Sequence, residues 1–311
     1  MRGSPLRARR SVLAVPGNDP HKLEKAKGFT SDAVFLDLED AVPPADKSRA
    51  RGQVVEALTS GGWGDRVRTV RVNDLSTRWT YRDVIEVVEG AGHHLDAIVL
   101  PKVQGADHVV WLDLLLTQIE LTMGYEPGEI GIEPQIESAA GLLWAADIAA
   151  ASPRVTSLVF GPGDFAADLG MSSPFVGAEP FTGAFDSALL TIRAAATTAD
   201  VQAIDGPWQR VADLDGFRAR ASRSAALGFD GTWVLHPSQV DIAHEVFTPT
   251  REAFDRAREV VAVVDEGRGV AMLGDVMVDE ASRKLAERTV ARGLAAGLGE
   301  ESHAPELATD Q

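Results

Sequence analysis

Apolar residues gather along the chain in eight short runs rich in aliphatic and β-branched side chains. They are SVLAVPG (Ser11–Gly17), AVFLDLED (Ala33–Asp40), TVRVN (Thr69–Asn73), AIVLPKV (Ala97–Val103), GIEPQIES (Gly131–Ser138), SLVFGPGDF (Ser157–Phe165), VQAIDGP (Val201–Pro207) and GTWVLHP (Gly231–Pro237). Each is bounded by turn residues and reads as a strand buried on both faces. Between them, Lys47–Leu58, Tyr81–Ala91, Ala106–Met123, Ala139–Ala150, Ala184–Thr198 and Leu214–Leu227 carry apolar positions at three- and four-residue spacing, the pattern of amphipathic helices. This alternation predicts parallel βα units, and eight of them predict an α/β fold of the (β/α)8 TIM-barrel kind. A doubly wound open sheet is the alternative, but it usually has fewer strands, and no GxGxxG turn follows the first run.

The pattern changes after Thr248. Arg251–Glu266 predicts a helix, GRGVAMLGDVMVDE a Gly-rich connection, and Ala281–Leu294 a last helix. The expected organisation is a barrel over residues 1–250 opening with a basic arm (1–9), a helical lid or oligomerisation extension over 251–298, and a disordered acidic tail over 299–311.

Composition narrows the partners. The 311 residues are 45% hydrophobic and 24% charged, enough apolar matter for a large core. Thirty basic against 46 acidic residues give a net charge of -16, which argues against non-specific nucleic-acid binding and against a polybasic membrane anchor. The absence of cysteine removes disulfides, thiolate metal sites and cysteine nucleophiles, and fits a reducing compartment such as the cytoplasm. No apolar run approaches the ~20 residues of a membrane span.

The strand ends hold the chemistry. The runs finish in Asp37/Glu39/Asp40, Arg71/Asn73, Lys102, Glu137, Asp164, Asp205 and His236, and the C-terminal strand ends of a TIM barrel carry its active site. Glu137 and Asp164, on the fifth and sixth runs, suit a hard divalent ion, Mg²⁺ or Mn²⁺; as isolated acids each could instead cap the following helix. The backbone of Gly161-Pro162-Gly163 beside Asp164 could face a ligand. Arg71 has the rigid fork that suits a carboxylate or enolate oxygen, or it serves a structural ion pair with Glu39 or Asp40. His236 reads as a hydrogen-bonded structural residue rather than a base. The six tryptophans are scattered, which suits packing.

RSVLAVPG, AVFLDLEDAVPPADKSRAR, VRVN, LDAIVLPKV, IESAAGLL, ASPRVTSLVFGPGDFAADLGM, AIDGPW, LGFDGTWVLHPSQV and EVFTPT, in this order from Arg10 to about Thr250, resemble the HpcH/HpaI aldolase/citrate lyase β-subunit-like family, and most its malyl-CoA lyase branch. The resemblance implies a Mg²⁺-dependent barrel that makes or breaks a C–C bond in a β-hydroxyacyl-CoA such as malyl-CoA, with acetyl-CoA or propionyl-CoA and a 2-oxoacid such as glyoxylate as the other side of the reaction. Glu137 and Asp164 match the metal ligands, Arg71 the arginine that stabilises the thioester enolate, and Glu39 and Asp40 the acidic pair near the metal's water shell. Asp279 in MVDEAS matches an acid/base that enters the neighbouring subunit's site, implying a homotrimer or homohexamer. Lys25 matches a lysine on the CoA phosphates, Leu235-His236-Pro237 line the CoA channel, and Gly163 belongs with them. Asp19 stands where malyl-CoA lyases often have arginine, and SSPFVGAEPFTGAF (Ser172–Phe185) is shorter than its counterpart. The resemblance leaves a malate synthase, a malyl-CoA thioesterase, a citramalyl-CoA lyase and a citrate lyase β-like subunit of a larger complex as alternatives, together with a CoA-independent Mg²⁺ aldolase.

Overall fold

The structure is a computed structural model that describes residues 7–171, 183–265 and 270–299. Eight parallel strands close a barrel in sequence order: β1 (Ser11–Pro16), β2 (Ala33–Asp37), β3 (Val67–Arg71), β4 (Ala97–Leu100), β5 (Gly131–Ile136), β6 (Ser157–Phe160), β7 (Gln202–Asp205) and β8 (Gly231–Val234), with β8 pairing back onto β1. Each strand begins where the corresponding apolar run begins, or within two residues of it. Asp37, Arg71 and Asp205 are the last residues of β2, β3 and β7, and Glu39, Asp40, Asn73, Lys102, Glu137, Asp164 and His236 follow their strands, so all of them stand at one end of the barrel.

The helices are α1 (Pro20–Ala26), α2 (Lys47–Thr59), α3 (Thr80–Ala91), α4 (Ala106–Met123), α5 (Ala139–Leu143), α6 (Ala145–Ala150), α7 (Pro162–Asp168), α8 (Asp186–Ala199), α9 (Leu214–Ala226) and α10 (Val240–Phe247). The outer faces of the strands and the inner faces of these helices form one apolar cluster, with Leu36, Leu38, Val70, Ile98, Leu100, Ile132 and Ile136 fully buried in it. A second cluster fills the lumen: Val12, Ala33, Phe35, Val67, Val99, Val159, Ile204 and Trp233. Phe35 and Trp233 stack with ring centroids 4.1 Å apart. The period-two alternation of a strand separates these clusters, and it also decides which polar side chains enter the lumen.

The floor, at the N-terminal strand ends, is closed by ion pairs. Arg9, which the sequence assigns to the basic arm, is buried, and its guanidinium grips Glu133 of β5. Gly231 makes room for that crossing, because a Cβ there would lie 1.8 Å from the Arg9 carbonyl oxygen. Around it Arg10 pairs with Asp32 (2.8 Å), Arg68 with Asp96 (3.1 Å) and Arg193 with Asp230 (3.0 Å).

The single helix expected over Ala139–Ala150 is instead two. Gly141 lets α5 lie against the Val103 carbonyl, where a Cβ would be 2.4 Å away, and the chain bends at Trp144 (φ −105°, ψ 15°) before α6 packs on α4 and α8.

The described residues from Thr248 on belong to a second compact unit, built on α11 (Arg251–Asp265), β9 (Val270–Leu273), β10 (Val276–Asp279) and α12 (Glu280–Ala295). The helices α11 and α12 cross closely where Gly293 faces the Phe254 ring. The stretch read as a Gly-rich connection is an antiparallel hairpin, Met277 opposite Met272, turned at Gly274 (φ +66°). Its Gly-Asp pair between two apolar runs is the turn signal that reading passed over. Residues 1–6, 172–182 and 300–311, which hold most of the arm, most of the Ser172–Phe185 stretch and nearly all of the tail, lie outside the described residues. Among the described residues no helix is long and apolar enough to cross a membrane.

Candidate active site

Register builds the mouth. Asp37 and Arg71 are direct partners across β2 and β3, so their side chains enter the lumen side by side. Arg71 donates from Nε to Asp37 Oδ1 and from Nη2 to Asp37 Oδ2, both at 2.7 Å, and its Nη1 lies 2.9 Å from Glu39 Oε2 and 3.6 Å from Asp40 Oδ2. The guanidinium lies 5.6 Å from the Phe35 ring centre and 5.5 Å from that of Trp233, so the apolar lumen below holds it at the top. The structural ion pair expected with Glu39 or Asp40 is made chiefly with Asp37. Asp37 and Glu39 together still leave guanidinium N–H groups uncommitted. Burial alone would raise the Asp37 carboxyl, but the adjoining Arg71 charge and hydrogen bonds outweigh it and hold Asp37 below the usual range.

Glu39 is buried, and that burial lifts its carboxyl despite Arg71 and Lys102. The loop that carries it is fixed from beneath: Lys47 Nζ donates to the carbonyls of Leu38 and Glu39, each at 2.7 Å, and sits over Trp79. Asn73 donates to the Leu38 carbonyl and to Asp83, and Asp83 in turn accepts from Arg51.

On β5 the alternation Glu133, Gln135, Glu137 runs from floor to mouth along the lumen. Glu137 is 3% exposed. Its Oε1 accepts from the Lys102 backbone N–H and its Oε2 from Gln135 Nε2, both at 2.7 Å. Gly161 closes over it, since a Cβ there would lie 2.4 Å from Glu137 Oε2. Burial first, then the neighbouring Glu39 and Asp164, push its carboxyl well above the ordinary range. Glu137 is no helix cap: Ser138 caps α5 by accepting from Gly141 N at 3.0 Å. Asp164 lies in the first turn of α7, whose start has no side-chain cap. Both acids are therefore free of the structural role that competed for them.

Among the described residues no three His, Cys, Asp or Glu side chains form a protein-only metal cage. Two carboxylates, with water and a ligand's oxygens completing the shell, are a donor set of the kind Mg²⁺ prefers. Asp205, also expected at the mouth, is fully buried and held by Arg220 at 2.7 Å and by Ser224. Asp168 accepts from Ala139 N and ties α7 to α5.

The remaining candidates divide. Gly163 lies in α7 beside Asp164, with Gln209 Nε2 3.5 Å from where its Cβ would be. Leu235 and His236 are exposed after β8, and His236 Nδ1 caps the next turn by accepting from Ser238 N, as its structural reading expects. Lys25 is exposed in the last turn of α1, and Asp19 caps that helix's start. Asp279 stands in the second unit as the cap of α12, held below the ordinary carboxylate range by the Ser282 N–H and hydroxyl. Two members were missed. Gln135 was legible two residues before Glu137 on the same face, and Lys102 was noted at a strand end without a role.

A model of the HpcH/HpaI aldolase/citrate lyase family matches residues 10–237. The chain belongs to this family. It is 40% identical over 299 residues to an L-malyl-CoA/β-methylmalyl-CoA lyase of Cereibacter sphaeroides, covering 91% of this chain and 94% of that one. It is 35% identical over 290 residues to a (3S)-malyl-CoA thioesterase of the same species, covering 92% and 95%. The fold matches the crystal structure of protein CitE from Mycobacterium tuberculosis in complex with magnesium, acetoacetate and coenzyme A, with a TM-score of 0.71 and 27% identity over 92% of this chain and 98% of that one. The chain is accordingly a carbon–carbon lyase of the TIM-barrel class.

Proposed function

We propose that the protein cleaves or forms a β-hydroxyacyl-CoA such as malyl-CoA, joining acetyl-CoA or propionyl-CoA to glyoxylate. The observation that carries this reading is the buried Arg71 fork standing beside two acids, Glu137 and Asp164, that no helix cap consumes. A relative of 40% identity that matches along nearly its whole length supports the substrate class.

Glu137 and Asp164 would hold Mg²⁺, or Mn²⁺ in its place. When bound, that ion supplies Lewis-acid polarisation of the 2-oxoacid. The chain's own residues do the rest. Asp37 and Glu39 fix the guanidinium so that its spare N–H groups meet the thioester oxygen as it becomes an enolate. Asp279 from a second copy of the chain takes the α-proton. Its cap contacts keep it ionised, the form a proton acceptor needs, and exclusion of water on closure raises its proton affinity. The enolate carbon then attacks the glyoxylate carbonyl carbon, and the new alkoxide takes up the proton that Asp279 removed, which returns Asp279 to its ionised form. Cleavage runs the same steps backwards. Glu39 and Asp40 order water beside the acids, while Lys25, Leu235, His236 and Gly163 line the approach of the CoA arm.

The second reading keeps this site and adds hydrolysis of the thioester, as the resemblance to a malyl-CoA thioesterase favours. One experiment separates the two. The purified protein with Mg²⁺ is given a panel of β-hydroxyacyl-CoAs, and 2-oxoacid and free thiol are followed separately. Glyoxylate without thiol supports the lyase, thiol without glyoxylate supports the thioesterase, and neither product from any thioester overturns both.

A further inference from the structure

Lys102 is one of two described non-glycine residues with a positive φ, at +52°. A long side chain seldom adopts that conformation, and the strain persists only where surrounding contacts hold it. Here both ends of the residue are held. The backbone N–H donates to Glu137 Oε1 at 2.7 Å, and the ammonium lies 2.6 Å from Glu39 Oε1, 3.9 Å from Asp164 Oδ1 and 4.0 Å from Asp40 Oδ1. Glu39 gives its other oxygen to Arg71, so one carboxylate joins the two cations of the mouth. The acids facing this ammonium come from the β2 and β6 ends, and without it they would repel one another across a few ångströms.

We propose that Lys102 is the resident counter-cation of the mouth: its ammonium holds Glu39, Asp40 and Asp164 together, competes with a divalent ion for those carboxylates, and so sets how tightly the ion is held. This rests on the reading that Glu137 and Asp164 take such an ion, and it makes Lys102 a positioning residue. A resident ammonium keeps the acids ordered before any ion arrives. It also weakens ion binding, because an arriving double charge meets a positive one close by. The amide and the ammonium are separable functions, since only the ammonium belongs to the side chain.

Lys102→Gly and Lys102→Asn test the idea. Both delete the ammonium, keep the amide that holds Glu137, and suit the left-handed backbone better than lysine does. Lys102→Arg keeps the charge. Mn²⁺ binding is measured by electron paramagnetic resonance, and melting temperature with and without Mn²⁺. The two neutral variants are expected to bind Mn²⁺ at least about fivefold tighter than wild type, with a larger Mn²⁺-induced rise in melting temperature, and Lys102→Arg to stay within about twofold. Equal or weaker binding by both neutral variants overturns the proposal, as does an equal loss of melting temperature with and without Mn²⁺, which marks a merely structural salt bridge. Glu137→Ala is the control for the underlying reading. If it binds Mn²⁺ as wild type does, the ion sits elsewhere and both ideas fail. If it loses the ion while the neutral Lys102 variants show unchanged affinity, only the role of Lys102 fails.

Discussion

At the floor of the barrel each acid meets its own arginine: Glu133 with Arg9, Asp32 with Arg10, Asp96 with Arg68 and Asp230 with Arg193. At the mouth, Asp37, Glu39, Asp40, Glu137 and Asp164 share Arg71 and Lys102. The same residue types at two ends of one lumen thus give a matched end and an end with surplus negative charge. Matched charges stabilise and have nothing left to offer a ligand. Surplus acids cost stability, most of all at Glu137, and keep an appetite for a cation. This agrees with the division of a TIM barrel into a stabilising face and a catalytic face.

The comparison can be broken by substitutions of equal chemistry at the two ends. The largest effect is expected from Glu137→Gln, which should abolish divalent-dependent turnover while leaving the melting temperature of the metal-free protein unchanged or higher, because a strained buried charge is gone. Turnover near wild type, or a large thermal loss, would refute the contrast. Glu133→Gln should do the reverse. Arg9 is left buried without its partner, at a cost of about 3–5 kcal/mol by denaturant titration, while the turnover of the folded fraction stays near wild type. Gly161→Ala comes next. It drives a methyl group into Glu137, and about 10–100-fold of turnover or Mn²⁺ affinity should go with it; a crystal structure with Glu137 undisplaced would contradict the packing argument.

The smallest effect is one of pH at the floor. His244 accepts or donates to the Ser11 hydroxyl at 2.8 Å and lies 3.4 Å from Asp32. Burial, with Arg10 adding to it and Asp32 and Asp241 opposing, lowers its basicity below the ordinary 6.5. The unfolded chain therefore binds this proton first, and stability should fall as pH drops below about 6.5 towards the lower folded value. His244→Asn should flatten that slope in thermal melts between pH 7 and 5, and an unchanged slope would assign it to other groups.

Much of this was legible early. The eight strands are short apolar runs whose outward and inward faces are both buried, so local pattern and tertiary need agree. Glu137, Asp164 and Arg71 stood out as charges that such runs do not need. The hairpin at β9 and β10 was missed because its apolar alternation is short and its glycines read as a linker. The break at Trp144 was missed because it depends on a carbonyl of a distant loop pressing on Gly141. Gln135 and Lys102 escaped a role for a related reason: each acts on Glu137, and nothing in either local run shows what it touches.

The sequence by itself determined the barrel, the order of its strands and the end at which polar residues emerge, because these follow from periodicity, turn residues and the exclusion of charge from buried strands. Only the tertiary structure decided how the charges divide. Strand register set Asp37 rather than Asp40 against Arg71, Ser138 relieved Glu137 of capping, and a left-handed turn aimed the ammonium of Lys102 among carboxylates from two strand ends. Each of these depends on distances of a few ångströms between residues far apart in the chain, and a charge's behaviour is governed by such distances rather than by its neighbours in sequence.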